Sequence, residues 1–382
     1  MGNRMALYEL AVLGAPTDDQ LQELETRLAA AADTFKLELG KDITLAIKPV
    51  TFTPGDQNAA AAVFFGGVAS ASIDVGAVLK NKLIPVLPVP TTQAALDAEI
   101  PASLRGINCL FYKPDGPDRL FSTLLSCVGL LRPQRRVFLS YKRTESASAA
   151  RQLFEELSAR NFTVFLDTHS MPAAVDFQEE LWHQLVDVDV VLMLDTPKYF
   201  ESRWTQAEYG RALSKNISVL RVQWPGTAPV VATTASMQVL KPDDFNADGT
   251  LVESAVQTLC TSLEQNRSIA YAARLQSAVT AVEDAVSKIE GKVDGVGPHC
   301  VMHVRLRNDT QIVVQPTIGV PNAVTLHETV LRARGAQAAL VYDDIGLKRV
   351  WREHLDWLAS NFTGAKWIKV NEVGWVFGGW GT

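Results

Sequence analysis

Short apolar runs alternating with helix-length segments constrain this chain more than any other feature. Val137 to Tyr141, Thr163 to Leu166, Val188 to Leu194 and Ile217 to Val222 are each nearly continuous in apolar residues. That is the pattern of strands covered on both faces, and the intervals leave room for crossover helices, so a parallel sheet flanked by helices is expected. The same alternation occurs upstream, in Tyr8 to Leu13, Ile43 to Val50, Ala61 to Phe65, Leu83 to Leu87 and Ile107 to Phe111. There Thr17 and Gln20 make a capping box ahead of Leu21, Leu24 and Leu28, whose spacing lays one apolar face along a helix.

At roughly 150 residues per domain, 382 residues argue for two or three domains. The basic junction Arg132-Pro133-Gln134-Arg135-Arg136 reads as a boundary. It separates an N-terminal α/β domain, 1–131, from the middle block, 132–266. Over 267–294, Ala272, Leu275, Val279, Val282, Val286 and Ile289 recur every three or four residues. This stripe is too short for a coiled coil and is expected as an amphipathic connector packed on a neighbouring domain, with an oligomer contact as the other reading. From 295 to 382 the runs Val301 to Arg307, Gln311 to Gln315, Ala338 to Tyr342 and Trp367 to Val370 suggest a small C-terminal α/β or α+β domain. The fold class is α/β throughout.

Thirty-six basic against 42 acidic residues leave a net charge of −6, which supplies no general attraction to nucleic acid or anionic lipid. No apolar run reaches the roughly 18 residues needed to span a bilayer, and the N-terminus lacks a secretory pattern, so a cytoplasmic protein is expected. Cys109, Cys127, Cys260 and Cys300 lie far apart, as reduced thiols rather than a disulfide framework. His299, Cys300 and His303 resemble a metal cluster, but residues four apart on a strand are about 13 Å from each other, and no metal site is expected. P-loop, HExxH and GxSxG patterns are absent, which removes the commonest ATPase, metalloprotease and serine hydrolase readings. Gly66-Gly67, before a helix near Ser70, reads either as a phosphate-binding turn or, more simply, as a bare turn.

The middle block carries its specific residues in a set order. Phe138-Leu139-Ser140-Tyr141 ends one strand, Phe162 to Asp167 forms the next, and the loop Asp167 to Asp176 precedes a helix through Phe177 to Trp182. Ser202-Arg203-Trp204-Thr205-Gln206-Ala207-Glu208 follows a later strand. Together these resemble a Toll/interleukin-1 receptor (TIR) domain over roughly 135–266, whose fold is a flavodoxin-like parallel sheet. The loop departs from the family, with His169 to Ala174 where a Gly is common.

In bacterial TIR domains that hydrolyse NAD⁺, the Glu of the SxWxxxE segment is catalytic and the Trp helps form the pocket. The resemblance therefore implies Glu208 as the catalytic residue. It implies substrate contacts from Ser140, Tyr141, Lys142, Arg143, Asp167, Ser202 and Trp204, with NAD⁺ as substrate and no cofactor or metal. Trp204 and Glu208, four apart on an expected helix, share a face. Read alone, they are a core tryptophan and a solvated glutamate. One carboxylate suffices for this chemistry, because nicotinamide leaves as a neutral amine and only the charge developing on the ribose needs support. At 4 Å and an effective dielectric near 20 that support is about 4 kcal/mol, roughly a thousandfold in rate. Lys142 and Arg143, at the strand end where open sheets collect ligands, suit the pyrophosphate, or are simply solvated.

The resemblance further implies an anti-phage defence or immune-type effector assembled through its TIR domains, with an activating ligand or protein engaged by the flanks. The alternative is a non-catalytic TIR scaffold. Five of the eight tryptophans, Trp351, Trp357, Trp367, Trp375 and Trp380, fall in the last 32 residues, the final two among glycines. They build either an interaction surface or an aromatic minicore.

Overall fold

The computed structural model describes residues 6–81, 83–166, 185–201, 217–227, 236–344, 347 and 349–380. Its strands, in chain order, are β1 (Tyr8–Gly14), β2 (Ile43–Ile47), β3 (Ala59–Phe65), β4 (Val86–Val89), β5 (Arg136–Ser140), β6 (Thr163–Leu166), β7 (Val190–Asp195), β8 (Ser218–Gln223), β9 (Ser236–Val239), β10 (Lys292–Val296), β11 (Met302–Arg305), β12 (Gln311–Pro316), β13 (Gln337–Tyr342) and β14 (Lys366–Lys369). They form three sheets, ordered β2-β1-β3-β4, β6-β5-β7-β8-β9 and β10-β11-β12-β13-β14. The first two are parallel throughout. In the third, β10 to β12 are antiparallel and β12 to β14 parallel.

The chain divides into two compact units. One comprises Met1–Leu131, Ala272–Asp344 and Val350–Thr382, and the other Arg132–Tyr271 with Ile345–Arg349. The expected N-terminal and C-terminal domains are thus parts of one unit. Its shared core explains why: Leu10, Val12 and Phe65 of the first sheet, Leu124 of the helix Tyr112–Cys127, and Met302, Val314 and Val341 of the third sheet belong to a single buried cluster. The helix Glu253–Lys288 adds Val279, Val282 and Val286 to that cluster, so the apolar stripe of the expected connector is core. Separate clusters cover the other faces of the first and third sheets.

Two local expectations change. Ile107 to Phe111 is not a strand: Ile107 is buried by close packing, and a Cβ on Gly295 or Gly297 would meet its side chain at 2.9 or 2.5 Å. The Gly-rich end, where little core was expected, forms the helix Val373–Trp380, with Val373 and Phe377 fully buried.

In the second unit, one sheet face buries Val137, Leu139, Leu153, Leu192 and Leu220, and the other buries Phe138, Val191, Met193 and Tyr199. This alternation along β5 and β7 matches their continuous apolar sequence. The helix Arg143–Ala159 covers the first of these faces through Ala149, Ala150, Leu153 and Leu157.

Candidate functional site

The order β6-β5-β7-β8-β9 has a topological switch point between β5 and β7. The chain leaves β5 toward β6 on one side, then returns across β5 to lay down β7 on the other. Connections that diverge in this way open a crevice at the carboxyl ends of the two strands, where open α/β sheets bind ligands. Here β5 ends at Ser140 and β7 at Asp195.

The Ser140 and Tyr199 hydroxyls lie 2.6 Å apart, and both residues are buried. Tyr199 packs edge-on against Phe200, with ring centroids 5.1 Å apart. Lys142 Nζ donates to the Lys198 carbonyl at 2.7 Å and reaches the Glu201 carboxylate at 3.3 Å. Lys198 N–H donates to the Glu145 carboxylate at 3.3 Å. These bonds join the chain leaving β7 to the start of the helix Arg143–Ala159.

Behind the crevice, Asp195 and Arg221 form a buried ion pair. Arg221 Nε donates to Asp195 Oδ2 at 2.8 Å, and its terminal Nη2 donates to the same oxygen. Asp195 Oδ1 and the neighbouring Thr196 hydroxyl are buried and have no hydrogen-bond partner among the described residues. Burial pushes the Asp195 carboxyl above its ordinary pKa, and Arg221 opposes that shift. The Asp195 carbonyl accepts from Trp224 N–H at 2.9 Å and from the Thr227 hydroxyl at 3.2 Å, which fixes the carboxyl end of β7.

Ser140, Tyr141, Lys142 and Arg143 therefore stand together at the carboxyl end of β5. Their environments differ: Ser140 is buried against Tyr199, Tyr141 packs on the core, Lys142 is bonded across the crevice, and Arg143 is exposed. Asp167, Ser202, Trp204 and Glu208 lie outside the described residues, as do the loop Asp167 to Asp176 and the helix expected after it. Tyr199, Asp195 and Arg221 were not anticipated from sequence. The available signal was a charge inside an otherwise apolar run, Asp195 ending Val190–Asp195 and Arg221 within Ser218–Gln223.

In the first sheet, the Gly66-Gly67 turn is closed on itself. Gly67 N–H donates to the Ser70 hydroxyl at 2.9 Å, and the Ser70 hydroxyl bonds the carbonyls of Gly67 and Glu99. A Cβ on Gly66 would meet the Glu99 carboxylate at 2.6 Å, so a negative charge stands where a phosphate would need donors. The bare turn is the reading the geometry favours.

No helix among the described residues is long and apolar enough to cross a membrane. No curated protein matches the chain. Residues 137–260 match the family model of the TIR domain. With the parallel sheet and its switch point built from the same residues, the chain is a protein that carries a TIR domain at 137–260.

Proposed function

We propose that the TIR domain hydrolyses NAD⁺ at the bond between nicotinamide and ribose, with Glu208 as the catalytic residue. The family includes NAD-hydrolysing members. The observation that carries the reading is the route of the chain: it leaves β7 at the switch point, crosses to Lys142 through Lys198 and Glu201, and enters the Ser202-to-Glu208 segment at the next residue. In sequence the pattern thus begins one residue after Glu201, whose carboxylate is 3.3 Å from Lys142 at the carboxyl end of β5, the end where open sheets bind ligands.

In this mechanism the C–N bond to nicotinamide breaks with both electrons going to the ring nitrogen, and nicotinamide leaves neutral. The Glu208 carboxylate faces the positive charge that develops on the ribose. Water adds to the anomeric carbon and releases one proton, giving ADP-ribose. Trp204 walls the nicotinamide pocket, and Ser202 and Asp167 contact the substrate. Lys142 and Arg143 supply positive charge at the edge of the crevice for the pyrophosphate. Self-association through TIR domains activates the enzyme, as suits an anti-phage or immune-type effector acting in the cytoplasm, with a ligand or protein engaging the larger unit.

Chromatography of NAD⁺ incubated with concentrated protein tests this reading. Loss of NAD⁺ that is abolished by Glu208→Gln, at unchanged melting temperature, is the expected result. Intact NAD⁺ in a self-associated sample would assign the domain to the scaffold class instead.

A further inference from the structure

The larger unit holds a second cluster of charged side chains, around a surface concavity of about 260 Å³. Arg119 enters it from the helix Tyr112–Cys127, and Glu328 and Arg332 from the helix Ala323–Ala333. Arg334 lies just beyond that helix, and His299 is in the turn before β11.

Hydrogen bonds from several elements build the site. Arg332 donates to Gln315 Oε1 at 3.0 Å and to the Glu328 carboxylate at 2.7 Å. Gln315 in turn donates to the His299 carbonyl at 3.1 Å. Asn108 donates to the Arg332 carbonyl at 2.5 Å, and Arg334 to the Cys109 carbonyl at 3.1 Å. His299 Nδ1 lies 3.1 Å from the Ser126 hydroxyl. His299, Cys300 and Arg334 have φ of +57°, +59° and +49°. Arg334 is the left-handed C-cap of its helix, and His299 and Cys300 shape the turn before β11.

The charges leave a definite balance. Burial, with Arg332 and Arg119 nearby, pushes the His299 pKa down to about 4, so its ring is neutral at pH 7. Among the described residues that line the concavity, cations outnumber carboxylates, Arg119, Arg332 and Arg334 against Glu328. A phosphate monoester carries nearly two negative charges at that pH and offers three acceptor oxygens. Planar guanidinium forks match such oxygens in pairs. The volume, just below the roughly 300 Å³ at which pockets begin to hold drug-sized ligands, suits a small ligand. Leu331 supplies an apolar wall for a short carbon skeleton.

We propose that this concavity is a binding site for a small phosphate monoester, held through its phosphoryl group by Arg119, Arg332 and Arg334. The site is separate from the TIR crevice and does not depend on NAD⁺ cleavage.

Calorimetric titration of the full chain provides the test, with ribose 5-phosphate as probe and ribose, inorganic phosphate and succinate as comparisons. Ribose 5-phosphate is expected to bind more tightly than the other three, and to weaken below about pH 6 as the ester takes up its second proton. Arg119→Gln, at an exposed position, should weaken binding by about 10- to 100-fold, as should Arg334→Gln, each removing charge-assisted hydrogen bonds. Arg307→Gln, outside the concavity, should leave it unchanged. Affinity for ribose or succinate equal to that for the ester would overturn the proposal, as would wild-type affinity in both Arg119→Gln and Arg334→Gln. Equal affinity for inorganic phosphate would replace the ester by the free anion.

Discussion

Arg135 and Glu264 meet in a two-pronged ion pair at 3.1 and 2.9 Å, with 0% and 4% of their side chains exposed. Arg267 donates to the same carboxylate at 2.9 Å, and the Arg135 guanidinium lies 4.2 Å from the centre of the Phe162 ring. Arg135 also donates to the Arg160 carbonyl at 3.3 Å. The pair ties the residue just before β5 to the helix Glu253–Lys288. Two cations thus share one carboxylate out of reach of water, an arrangement that is stable only while every member is present.

Glu264→Gln keeps the volume but removes the carboxylate charge that Arg135 and Arg267 share. Removing one partner of such a pair costs about 3–5 kcal/mol. The urea midpoint of the TIR unit should fall accordingly, with faster hydrogen exchange in β5 and β8. A loss below about 1 kcal/mol would show that the carboxylate charge is not needed.

Ser140 and Tyr199 offer a smaller, paired effect. Their hydroxyls touch at 2.6 Å in a buried setting, so removing either takes away a buried hydrogen bond, at about 1 kcal/mol. In a double-mutant cycle of Ser140→Ala and Tyr199→Phe, the two losses should fall short of adding, with a coupling of about 1 kcal/mol. Strict additivity would mean that the contact contributes nothing.

A pH dependence is built into the larger unit. Burial pushes His299 and His303 down to about 4 from an ordinary 6.5, with Arg332 and Arg119 adding to the shift at His299. At His303, Asp294 opposes the shift and Arg334 adds to it. A depressed histidine pKa means that the unfolded chain binds protons more readily. Stability is therefore full above about pH 6.5 and lost as pH falls toward 4, by about 1.4 kcal/mol per pH unit for each ring. His303→Gln should flatten that slope in denaturant melts between pH 7 and pH 4. An unaltered slope would place the acid sensitivity elsewhere.

How much of this was legible depended on whether burial left a trace in the residue pattern. β6 runs from Thr163 to Leu166, as its apolar run suggests, and the capping box of Thr17 and Gln20 is present. β9 escaped notice because it is only four residues long and the Met237 and Val239 of its alternation are exposed, so the period marks no buried face. Arg135 stands in sequence as part of a basic junction, since nothing local hints that Glu264, 129 positions later, neutralises it. The shared core of the larger unit was illegible for the same reason: Phe65 and the third-sheet residues of the same cluster are far apart in sequence, and their common burial has no local signature. The SxWxxxE pattern was the reverse case, plain in sequence because it is defined by residue identity at fixed spacing.

The C-terminal helix gives the last test. Trp375 and Trp380, expected to be poorly buried among glycines, have different surroundings. Trp375 is 87% exposed. Trp380 stacks on Phe377 at 5.4 Å, and Lys366 Nζ lies 4.3 Å from the centre of its ring. Phe377 itself is fully buried in the core shared by the two sheets of the larger unit. Phe377→Ala should therefore cost about 3–5 kcal/mol, as large cavities do, whereas Trp375→Ala should stay within about 0.5 kcal/mol. Deleting residues 374–382 removes Phe377 and Trp380 together, so it should broaden or abolish the cooperative melt of the larger unit while leaving hydrogen-exchange protection of β5 and β7 intact. If Trp375→Ala preserves the melt but abolishes self-association seen by light scattering, that one exposed indole is an interface anchor. If it changes neither, the helix serves the core alone.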